Sequence, residues 1–238
     1  MSLASSATVA SGGGRPPAGG SDWKPYVLPF AVLIVLLALA PYSGLGPGLT
    51  YPLRTLAVAA VVVAFSRGAI DWRPKRAVWS VLVGLAVFGI WIAPDLLFPG
   101  YRQHWLFRNA LTATASAGLP TAVRTSLWYV AFRVGGAVLL VPVVEELFWR
   151  AWLMRRLISA DFETVPLGAY GAQAFWITAA LFASEHGAFW DVGLAAGIAY
   201  GWWMTRTHSL ADCILAHAVT NACLAACVLV YGRWEYWL

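Results

Sequence analysis

Seven apolar stretches, at about residues 27–40, 53–66, 78–98, 126–156, 169–186, 189–205 and 210–231, decide what this chain can become. A soluble domain covers its outside with charge, whereas 60% of these 238 residues are apolar and 11% are charged. The stretches therefore face lipid, where each segment must satisfy its own backbone hydrogen bonds and a helix does so. The expected fold is all-α, a polytopic transmembrane helix bundle of about seven spans (six to eight) with an intramembrane polar cavity.

The loops orient that bundle. Arg67, Arg73, Lys75 and Arg76 make residues 67–76 the densest basic loop, while residues 41–52, rich in Gly and Pro, carry no charge. Positive loops stay on the cytoplasmic side, so this loop and the N-terminus are placed in the cytoplasm, in what is expected to be a bacterial cytoplasmic membrane. The net charge of +5 then reflects topology and contact with membrane lipid, and no nucleic-acid partner is expected. Residues 1–22, nearly all small or polar, are expected to be a flexible tail. Ala38-Leu39-Ala40 has the form of a signal-peptide cleavage site, but the long polar region before the run and Pro41 after it favour an uncleaved first span. Residues 101–120 are too polar to cross and read as an interfacial helix. The chain thus divides into the tail 1–22, the N-terminal spans and interfacial helix 23–122, and a core at 123–238. Cys213, Cys223 and Cys227 lack a metal-binding spacing and are read as packing residues, and the Trp-rich ends of the spans as interfacial anchors.

Against this background the run Val141-Pro142-Val143-Val144-Glu145-Glu146-Leu147-Phe148-Trp149-Arg150 stands out. One carboxylate at the bilayer centre costs about 2.5–3.5 kcal/mol on insertion scales, so adjacent ones point to function. Pro142 predicts a distorted helix with a freed backbone carbonyl just before the pair. His186, and the pair His217 and Asn221, are the other residues singled out inside apolar runs. At 1.5 Å per residue, Glu145 lies about 15 Å from Arg155, and His217 and Asn221 lie about 10 and 16 Å from Leu210. His186 comes out deeper, a difference that helix tilt absorbs. One layer would then hold a base, two imidazoles, a carboxamide and a cation. A carboxylate and a histidine can activate water, and His217 and Asn221 can donate hydrogen bonds to an oxyanion. Glu146 and Arg150, at i and i+4, are placed to pair with each other. No serine or cysteine in the layer has a base beside it, so direct attack by water is expected over an acyl-enzyme. Glu185 and Asp191 are read as polar residues facing the cavity or interface, and His104 and His208 as loop residues outside the chemistry.

Glu145-Glu146-x-x-x-Arg150, Phe182-x-x-x-His186 and His217-x-x-x-Asn221 resemble, in order and spacing, the motifs of the CPBP family of intramembrane proteases. That family includes type II CAAX prenyl endopeptidases and bacteriocin-processing or Abi-like immunity proteins. The resemblance covers about residues 140–225. It implies that Glu145 with His186 activates the water, that His217 and Asn221 form the oxyanion site, and that Glu146, Arg150 and Phe182 support them. Ala151 departs from the glycine usual after the arginine, which bears on local packing. In size the chain is similar to a CAAX protease-related subgroup linked to exosortase systems.

The expected function is an intramembrane endopeptidase acting on a membrane-anchored or lipidated protein or peptide. The alternatives are a non-proteolytic scaffold or immunity protein of the same fold, which would not need the whole ionisable set, and an ion-coupled transporter, which would show paired broken helices. No cofactor is favoured. Zinc is the alternative, with Glu145, His186 and His217 as its ligands, but His-Glu-x-x-His is absent and a glutamate mechanism is preferred.

Overall fold

The computed structural model describes residues 22–109 and 119–237. The expected flexible tail lies outside the described residues apart from Asp22. Seven helices carry the fold in chain order: α1 (Lys24–Tyr42), α2 (Pro47–Ser66), α3 (Ala77–Leu97), α4 (Leu127–Arg156), α5 (Ala172–Ser184), α6 (Trp190–Thr207) and α7 (Leu210–Tyr231). Among the described residues there is no strand, and α1, α2, α3, α4 and α7 are each long and apolar enough to cross a membrane.

Two local expectations are corrected. The second span starts at Pro47 and not near residue 53, because Pro47 lies in the first turn, where its missing N–H has no partner to lose. The expected interfacial helix is not continuous: residues 101–109 form two 3-10 turns, Tyr101–Gln103 and Trp105–Phe107, and residues 110–118 lie outside the described residues. The turns gather round Arg102, whose guanidinium binds Asp95 at 3.1 Å, Asp191 at 2.7 Å and the Ala188 carbonyl at 2.7 Å. Three fixed acceptors hold that arginine more specifically than an amphipathic face would.

Small residues set the packing at the centre. A Cβ on Gly84 of α3 would lie 2.4 Å from the Ala216 carbonyl oxygen of α7, and Thr220 donates to the Gly84 carbonyl at 2.8 Å. Lipid gives helices no apolar drive to associate, so close backbone approach and hydrogen bonds across helices supply it. Asp212 fixes the register of the pair, accepting from the backbone N–H groups of Lys75 and Arg76 and from the Ser80 hydroxyl at 2.7–2.9 Å. Ser209 caps the start of α7 by accepting from the Asp212 N–H.

Two features place irregular backbone beside the future site. Helix α5 has 13 residues and rises about 20 Å, short of the roughly 30 Å hydrocarbon core, and the chain turns at once through Glu185, His186 and the 3-10 turn Gly187–Phe189. Helix α4 contains wide π-turns at Gly136–Leu140 and Leu147–Leu153, on either side of the glutamate pair. Such turns accumulate at functional sites.

Candidate active site

The distortion in α4 traces to Pro142. In the first π-turn the Val141 N–H bonds the Gly136 carbonyl, and the next donor in that pattern would be residue 142, which has none. The Ala137 carbonyl is left over, and Asn221 of α7 donates its amide to it at 2.8 Å. The freed carbonyl read from the sequence is therefore what positions Asn221, with one amide hydrogen still available.

The adjacent glutamates are divided by their neighbours. Glu146 is completely buried and its Oε1 accepts from Arg150 Nη1 at 3.1 Å and from His217 Nδ1 at 2.9 Å. Arg150, 1% exposed, also reaches the Gly197 carbonyl at 3.4 Å and lies 4.3 Å from the centre of the Phe182 ring. Glu145, about 100° further round the helix, makes no hydrogen bond to any described residue, and its Oε2 is buried. His217 Nε2 lies 3.9 Å from that oxygen.

The two histidines are oriented through their Nδ1 atoms. His186 donates from Nδ1 to the Phe182 carbonyl at 2.7 Å, since a carbonyl can only accept, which leaves the Nε2 lone pair free. Trp91 and Phe182 hold that ring edge-on and tilted, with centroids at 5.3 and 4.7 Å. Gly193 gives it room: a Cβ there would sit 3.1 Å from the imidazole. His217 stacks on Tyr200 at 4.9 Å, and Tyr200 donates to Thr220 at 2.8 Å.

Glu145, His186, His217 and Asn221 all line one cavity of about 210 Å³, together with Phe182, Tyr200, Tyr236 and Trp237. Tyr236 donates to Asp95 at 3.1 Å, and burial first, with Asp95 adding to it, raises its phenol above the ordinary range, so it remains a donor. Glu146 and Arg150 stand behind the wall. Ala151, in the place of the usual glycine, is fully buried in the second π-turn. His104 caps a 3-10 turn and His208 bonds the Leu167 carbonyl, both outside this cavity.

The possible ligand set differs from the one expected for zinc. Among the described residues, the donors that converge within 4.8 Å of one another come from Glu145, Glu185 and His186. His217 is not in this group, although its Nε2 lies 3.9 Å from Glu145 Oε2. Glu185 takes its place at the end of α5, where Trp149 Nε1 donates to it at 3.0 Å. Chain spacing put Glu185 next to His186 but carried no sign that it would face Glu145. Arg133, whose Nη2 donates to the Trp237 carbonyl, is another cavity residue that hydropathy alone did not single out.

Residues 126–223, from the cap of α4 to just beyond Asn221, match the family model described as Type II CAAX prenyl endopeptidase Rce1-like. No curated protein and no solved structure matches the chain.

Proposed function

We propose that this chain, which carries an Rce1-like type II CAAX prenyl endopeptidase domain and is consistent with the CPBP family, cuts a peptide bond of a membrane-anchored or lipidated substrate with water activated by Glu145 and His186. The observation that carries this reading is the division of labour in the glutamate pair. Both cationic contacts of the pair, Arg150 and His217, fall on Glu146 Oε1, while Glu145 makes no hydrogen bond to a described residue and offers a carboxylate oxygen within 4.8 Å of a ring nitrogen of His186, a span that one water bridges.

In this reading the water oxygen bonds to the scissile carbonyl carbon as Glu145 or His186 takes its proton. Asn221 donates its second amide hydrogen to the oxyanion. His217 does the same from Nε2 only as an imidazolium, because its Nδ1–H is directed at Glu146. The C–N bond then breaks and the amine leaves with the proton taken from water. The site lies in the inner half of the bilayer with the N-terminus cytoplasmic; a reporter in residues 67–76 that reads external would reverse this placement.

The test is turnover of a fluorogenic peptide carrying an S-farnesyl cysteine near its C-terminus by purified protein in liposomes. Glu145→Gln is expected to lower turnover about a thousandfold while the melting temperature and peptide binding persist. Near wild-type turnover would overturn the assignment.

A second reading has the support of the converging donors: Glu145, Glu185 and His186 fit a zinc ion in kind and number, with a position left for water. Bound there, zinc would supply a Lewis acid that lowers the pKa of water. Stoichiometric metal in active protein, with activity lost on chelation and restored by zinc, would favour it over the glutamate mechanism.

A further inference from the structure

We infer that Arg54 and Arg133 form a receptor for a carboxylate of the substrate, the free α-carboxylate at the C-terminus of the peptide being cut. This rests on the endopeptidase reading and adds to it the end of the chain that the enzyme reads. Arg54 lies seven residues into α2 and Arg133 six into α4, each roughly 10 Å inside its span. Their guanidinium carbons lie 4.6 and 4.8 Å from the centre of the same ring, Tyr51. Neither makes an ion pair with a carboxylate among the described residues, and Arg133 Nε is buried with no hydrogen-bond partner. Two adjacent like charges at this depth are unfavourable unless an anion joins them.

The space between them leads to the chemistry. Arg54, Arg133 and Glu145 line a cavity of about 150 Å³ between α1, α2 and α4, and Arg133 and Glu145 also line the cavity that holds His186, His217 and Asn221. The face of α4 running through Arg133, Ala137, Val141 and Glu145 is shared with the reaction cavity. A substrate lying along it places its scissile bond at Glu145 and its C-terminus at the arginines. Twelve residues of helix rise about 18 Å, so the carboxylate lies within about five extended residues of the cut. A planar fork of donors matches a carboxylate in two hydrogen bonds, and Arg133 already grips a main-chain oxygen, that of Trp237. A lipid phosphate belongs to the membrane surface, whereas these guanidinium groups border a space that ends at Glu145.

The experiment uses the full chain in phosphatidylcholine liposomes and two farnesylated peptides of one sequence, ending as the free acid or as the carboxamide. Wild-type protein is expected to cut the acid with kcat/KM about 10- to 100-fold above the amide, the value of one or two charge-assisted hydrogen bonds. Arg133→Gln and Arg54→Gln bring that ratio towards one, and Arg133→Lys restores part of it. Binding of both peptides to the Glu145→Gln variant is measured alongside. Acid-selective binding that needs the arginines, with no cleavage by wild-type protein, would sink the endopeptidase reading and leave this one standing. Equal handling of acid and amide by wild-type protein overturns the inference, as does an acid preference that survives both glutamine variants. Added phosphatidylglycerol that changes activity only while Arg133 is present, with no acid preference, overturns it too and assigns the arginines to lipid phosphate. Should Arg133→Gln fail to fold, the wild-type ratio and Arg54→Gln still decide.

Discussion

Helices α1 and α7 have nearly equal hydropathy, yet 6% of the most apolar stretch of α1 is buried inside the protein and 44% of that of α7. The difference lies in side-chain size and polarity. Helix α7 buries Ala211, Cys213, Ala216, Thr220 and Ala225 with Asp212 and His217, and beside them Leu210, Ile214, Leu224 and Val228, while α1 turns Ile34, Val35, Leu37 and Leu39 outward. In lipid, large apolar side chains gain nothing by moving inward, and small ones let backbones meet. Hydropathy therefore recognises a span, and small and polar residues recognise its neighbours.

The contrast can be broken most severely at Glu146. Glu146→Gln leaves Arg150 buried beside a neutral group and removes the carboxylate that orients His217, so a loss of about 3–5 kcal/mol is expected, with activity lost alongside. Thermal unfolding in detergent measures it, and a melting temperature equal to wild type would mean that the pair does not hold α4 to α7.

Gly84→Ala probes the same interface without charge. Its new methyl would press on the Ala216 carbonyl, and a loss of about 1–3 kcal/mol is expected as α3 and α7 are forced apart. Unchanged stability would show that the close approach is dispensable. The smallest effect is expected on the other helix: Val35→Ala, at a position 53% exposed, should stay within about 0.5 kcal/mol. A loss as large as that of Gly84→Ala would place α1 in the core and erase the comparison.

Much of the site was legible in order along the chain. Glu145, Glu146, Arg150, His186, His217 and Asn221 stood out because ionisable and amide groups are costly in lipid, and the i, i+4 spacing anticipated that Glu146 would meet Arg150. The effect of Pro142 followed from its missing N–H. Spacing did not reveal that Ala137 would receive Asn221, that Trp149 would hold Glu185, or that Arg54 and Arg133 would flank one tyrosine. Each of those contacts joins different parts of the chain.

By itself the sequence determined the spans, the acidic step in α4 and the residue types available for chemistry, because lipid penalises unpaired polar groups wherever they occur. Only the tertiary structure decided which donors converge with Glu145 and which carbonyl receives Asn221. Those outcomes depend on the rotation of each helix about its axis, which is set by close contacts such as Gly84 against Ala216 and Gly193 against His186. Periodicity names a face of a helix, and packing chooses what that face meets.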